Sequence, residues 1–94
     1  MMPTRIATAE IDPHSMHVAS YVVHVRPEAF EDTKTWLLAR PATEIHAQDP
    51  AGKLVVVMEC ADPQAILDAI DQTGERPGVI SAALVYHEIL DEEL

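Results

Sequence analysis

Residues 43–60 read TEIHAQDPAGKLVVVMEC, and their interpretation decides the fold. Lys53 to Cys60 is the most apolar of the strand-like runs, with three consecutive β-branched residues at Val55, Val56 and Val57. Thr43 to Gln48 reads as a shorter strand before it. Between them stands Asp49-Pro50-Ala51-Gly52. Pro50 presets φ at a turn position, and Gly52 can take positive φ. Two strands joined by so short a turn form an antiparallel hairpin.

The pattern extends outward from this hairpin on both sides. Upstream, His17 to Val25 (HVASYVVHV) is rich in β-branched residues and reads as a strand. Pro27 then opens a helical stretch, PEAFEDTKTWLLAR, in which Phe30, Thr33 and Leu37 recur at helical spacing. Acidic Glu28, Glu31 and Asp32 lie toward its N-terminal end and Arg40 toward its C-terminal end, which suits the helix dipole, and Pro41 stops it. Downstream, Asp62 caps a second helix, Pro63 enters its first turn, and Ile66, Ala69, Ile70 and Thr73 give its buried stripe before Gly74. Gly78 to His87 is the last strand. The order β-α-β-β-α-β favours a ferredoxin-like α+β fold, with one four-stranded antiparallel sheet and both helices on one face. The folded domain is expected over residues 17–88, after a disordered leader at 1–16 and before an acidic tail at 89–94.

Alternation assigns the two faces of that sheet. Ala19, Tyr21, Val23 and Val25 of the first strand belong under the helices, with Leu54, Val56, Met58 and Cys60 of the third and Ile80, Ala82, Leu84 and Tyr86 of the last. The remaining face should be polar, because water covers it in most open antiparallel sheets. Instead it carries Val22, Val55, Val57, Val79 and Val85, with the small residues Ser20, Ser81 and Ala83 between them. His24, Glu59, His87, Glu44 and His46 are expected around this shallow apolar patch. A patch of this kind marks an interaction site. The candidate peptide-binding residues are therefore Ser20, Val22, His24, Val55, Val57, Glu59, Ser81, Ala83, Val85 and His87.

Charge narrows the choice of partner. Sixteen acidic residues against six basic ones give a formal net charge of −10, which repels nucleic acid and anionic membranes and attracts cationic partners. RNA-binding relatives of the fold place aromatics on the open face of the central strands, and none is expected there. Copper-chaperone relatives carry paired cysteines after the first strand, where this chain has His24-Val25-Arg26-Pro27-Glu28. The single Cys60 reads as a core residue, and the histidines form no compact pair, so no metal and no cofactor are expected. No nucleophile, base and orienter assemble, so no catalytic residue is assigned. The chain also has no apolar run of membrane-spanning length and no secretory h-region, so a cytoplasmic location is expected.

Three segments together resemble a known family: Ala19-Ser20-Tyr21-Val22-Val23, Gly52 to Glu59, and Gly78 to His87 with its ending Leu84-Val85-Tyr86-His87-Glu88. They are similar to the NapD family of cytoplasmic assembly chaperones for periplasmic nitrate reductase. The resemblance spans about residues 16–89 and leaves out the leader. It implies a ferredoxin-like chaperone without cofactor or chemistry. Such a protein binds the twin-arginine signal peptide of the catalytic subunit and holds back export until the molybdenum cofactor is inserted. The residues agree on separate grounds: a signal peptide has a basic part and an apolar part, and an apolar face beside Glu59 or Glu44 complements both. The chaperone would be a monomer or weak homodimer. The alternative is a dimeric ferredoxin-like regulatory domain that senses a small molecule at a concave pocket.

Overall fold

The computed structural model describes the backbone of residues 15–91. Residues 1–14 of the expected leader and 92–94 of the expected tail lie outside the described residues. The elements are β1 (Ser15–Val25), a 3-10 turn (Pro27–Ala29), α1 (Phe30–Leu38), β2 (Thr43–Asp49), β3 (Lys53–Cys60), α2 (Pro63–Gly74) and β4 (Val79–Asp91). All strand pairs are antiparallel, in the order β2-β3-β1-β4. The fold is the ferredoxin-like one expected from the order of elements. The first and last strands run further than the residue pattern suggests, and their ladder ends with Ser15 paired to Asp91.

Local chemistry sets the boundaries. Arg26 is extended because it precedes Pro27, whose ring excludes the helical region for its neighbour. Pro27 therefore starts a 3-10 turn, and the α-helix proper begins only at Phe30. Asp62 accepts a hydrogen bond from the Gln64 amide (2.9 Å) and so caps α2. In the β2–β3 turn Gly52 has φ +137°, and its carbonyl accepts from the Val25 amide at 2.9 Å. A Cβ there would stand 2.4 Å from the Val25 carbonyl oxygen, so only glycine lets the turn close against the end of β1.

Both helices pack on one face. Phe30 and Leu37 of α1 join Tyr21, Val23, Val25, Leu54 and Val56 in the main core cluster. Ile66 and Ala69 of α2 close over Ala19 and Met58. On the outside of this layer the guanidinium groups of Arg40 and Arg76 each stack 4.7 Å from the Trp36 ring centroid. Arg40 donates to Gln72 and Arg76 pairs with Asp32, both at 2.9 Å, so the two helices are tied together.

The last strand departs from simple alternation. It is bulged twice against β1, once at Ile80 and once at Val85. Each extra residue reverses the phase of the strand beyond it. Val79, expected on the open face, packs against the core, and Ile80, expected under the helices, is 69% exposed. Tyr86 stands opposite Ser20 and thus on the open face, whereas His87 stands opposite Ala19 on the helix side.

Candidate functional site

The face away from the helices is built from rows of cross-strand neighbours. Glu44, Val57, Ser20 and Tyr86 form one row. Ala47, Val55, Val22 and Ala83 form the next. Toward the β2–β3 turn come Asp49, Lys53, His24 and Ser81, and at the opposite end come Glu59, Val18 and Glu88. The middle of the face is apolar, since Val18, Val22, Val55 and Val57 are half-buried by their own neighbours. No residue in the two central rows except Tyr86 and Glu44 is large and polar.

Eight of the ten candidate residues are brought together here: Ser20, Val22, His24, Val55, Val57, Glu59, Ser81 and Ala83. Val85 is the unpaired residue of a bulge and is 59% exposed. His87 is not on this face, because that bulge turns it to the helix side. Glu44 lies on the rim as expected, and His46 is the extra residue of a bulge in β2 between Ile45 and Ala47. Besides Glu44, several residues of the face were not among the candidates: Ala47, Asp49 and Lys53 toward the β2–β3 turn, and Met16, Val18, Tyr86 and Glu88. Val18 was open to alternation, since it lies two residues before Ser20. Tyr86 and Glu88 had no signal, because their side is set by the bulge.

The face is electrically lopsided. Glu44, Glu59 and Glu88 all stand toward one end. The Glu44–Glu59 side of that end opens into a shallow depression of about 310 Å³, lined by Met16, Ala42, Thr43, Glu44, Val57 and Glu59. Tyr86 Oη donates to Glu88, and that hydrogen bond to the carboxylate raises the Tyr86 pKa above its ordinary value. The described cations lie elsewhere. Lys53 is at the turn end of the face, while Arg40 and Arg76 are occupied on Trp36 in the helix layer. A flat apolar strip ending in three carboxylates can take an apolar segment and fix a guanidinium group at one end of it. Among the described residues no three His, Cys, Asp or Glu side chains are placed to hold a metal ion. The Cys60 thiol is half-buried and donates to the Asp62 carbonyl oxygen at 3.1 Å. Among the described residues no helix is long and apolar enough to cross a membrane.

Comparison with known proteins gives this face a context. The NapD protein family matches residues 16–91. The chaperone NapD of Escherichia coli K12 is 36% identical over 72 residues, covering 76% of this chain and 83% of that protein. The chaperone NapD of Haemophilus influenzae is 38% identical over 73 residues, covering 77% and 78%. The solution structure of the E. coli Tat proofreading chaperone protein NapD is similar with a TM-score of 0.68 at 34% identity, over 84% of this chain and 83% of that one. A Pyrococcus furiosus transcriptional regulator of the AsnC family reaches a TM-score of 0.57 at 16% identity, over 92% of this chain and 54% of that one, and so shares the fold alone. The named relatives are chaperones and not enzymes, and the family match runs from the second residue of β1 to the end of β4. This chain belongs to the NapD family of chaperones.

Proposed function

We propose that this chaperone acts in the cytoplasm and binds the twin-arginine signal peptide of the periplasmic nitrate reductase catalytic subunit, holding back its export until cofactor insertion is complete. The observation that carries the reading is the open face: half-buried valines in the middle and Glu44, Glu59 and Glu88 at one end. Membership of the family supports it, as does the likeness to the E. coli Tat proofreading chaperone. The apolar stretch of the peptide would lie over Val22, Val55 and Val57, losing water on both sides. Its arginines would then reach the carboxylate end, where a planar guanidinium can engage a carboxylate through two hydrogen bonds. A client held this way has its export signal covered.

Isothermal titration with the Arg-Arg peptide and a Lys-Lys variant, each in about 0.15 M and about 1 M salt, tests the reading. Exposed ion pairs contribute about 0–1 kcal/mol each, and the Debye length falls to about 3 Å at 1 M. Salt should therefore weaken binding modestly without abolishing it. The Lys-Lys peptide should bind more weakly than salt alone explains, because lysine keeps the charge and loses the planar fork. Equal affinity for the two peptides would mean that the arginines are not read.

A further inference from the structure

Two histidines outside the open face meet on the other side of the sheet. His17 Nδ1 and His87 Nε2 are 2.9 Å apart, with ring centroids 5.1 Å apart and planes inclined by 33°. His17 stands between Cys60 of β3 and Ile89 of β4, and His87 stands opposite Ala19. Two other titratable groups lie close by, Cys60 and Asp62 at the N-cap of α2. The thiol is turned to the Asp62 carbonyl, and the Asp62 carboxylate is engaged by the Gln64 amide. Glu59 and Glu88 belong to the opposite face.

A hydrogen bond between two imidazoles needs one free nitrogen lone pair. It survives with both rings neutral, and it survives one added proton as a charge-assisted bond. A second proton removes the last lone pair and sets two cations in contact. The bond is therefore kept by the neutral and the singly protonated pair and lost by the doubly protonated one. Desolvation, and then the neighbouring His87, lower the His17 pKa, while the Asp62 charge opposes them. The place of the pair matters as much as its chemistry. It sits within the last stretch of the β1–β4 ladder, where Met16, His17 and Val18 pair with Leu90, Ile89 and Glu88. Met16 lines the acidic depression on the other face, and Glu88 is one of its end carboxylates.

We propose that the His17–His87 hydrogen bond is a proton-operated latch, which keeps this end of the ladder closed and opens it, with the acidic end of the peptide face, when the pair takes up its second proton. The consequence for peptide rests on the function proposed above; the latch itself does not. The test is NMR on the full chain between pH 7.5 and 5, following the histidine rings and the amide protection factors of residues 16–18 and 88–91. The rings should titrate in two coupled steps. Protection at this ladder end should fall about two- to tenfold at the second step, the value of one hydrogen bond, while residues 22–25 stay unchanged. His87→Gln and His17→Gln, which cannot take up the second proton, should flatten this response. Independent one-step titrations with constant protection would overturn the latch. Twin-arginine peptide should bind more weakly at pH 5.5 than at 7.5 in the wild type, and this ratio should shrink in His87→Gln. An unchanged ratio would overturn the link to the face. A latch that titrates as described in a chain that binds no peptide at any pH would leave the latch standing and sink the peptide assignment.

Discussion

Val57 shows how a single position reports on the face. It lies between Glu44 and Ser20, half-buried by its own strand neighbours. In Val57→Asp the new carboxylate reaches water while the face is free, so the unfolding free energy should change by less than about 1.5 kcal/mol. Under a seated apolar segment the same carboxylate loses its water, and peptide affinity should fall about tenfold or more. Denaturant unfolding and titration together check this; equal loss of both would place Val57 in the structural core. Gly52 tests the other kind of residue, one fixed by backbone geometry. Gly52→Ala meets the Val25 carbonyl at 2.4 Å and must hold φ +137°. It should cost about 1–3 kcal/mol of stability. Gly74, with nothing within 4 Å of its added Cβ, is the control. Gly74→Ala should leave stability unchanged or raise it by up to about 1 kcal/mol.

At the scale of elements, the central strands were legible and the edge strand was not. β1 and β3 keep unbroken alternation, so Ser20, Val22, Val55, Val57 and Glu59 are where the residue pattern puts them. They are held by neighbours on both sides, and a slip of one residue would expose the whole core set. β4 has a neighbour on one side only, and there an extra residue is tolerated without disturbing a second ladder. Nothing in Gly78 to His87 marks Ile80 or Val85 as the extra residue, so His87 and Tyr86 exchange the faces that alternation assigns them. The helix stripes Phe30, Thr33, Leu37 and Ile66, Ala69, Ile70, Thr73 were equally plain: six of the seven are buried, and Ile70 is half-buried against both core clusters. Trp36 is a different case, because its two stacking partners come from the segments that follow the two helices. Removing the ring in Trp36→Ala takes away two guanidinium stacks and the apolar contact with the core. The expected loss is about 2–4 kcal/mol in denaturant unfolding. Peptide affinity should be unchanged in the folded variant, since the ring is on the far side of the sheet from the open face.

Over the whole molecule, the net charge of −10 and the lopsided open face act at different ranges. On the proposed function, the net charge would draw in a basic partner from a distance, and the three carboxylates at one end would fix where its cations settle. The first was plain from composition. The second depends on the fold, which takes two of the five described cations into the helix layer and leaves the Glu44, Glu59 and Glu88 end without one. On the proposed function this face, and not the helix layer, receives the peptide. The measurement that tests it most directly is a map of backbone chemical-shift changes on adding unlabelled twin-arginine peptide to the labelled chain. The largest changes should fall on Val18, Ser20, Val22, Val55, Val57, Glu59 and Ala83, with Trp36, Gln72 and Arg76 unmoved. Changes concentrated on α1 and α2, with the valine rows silent, would contradict it.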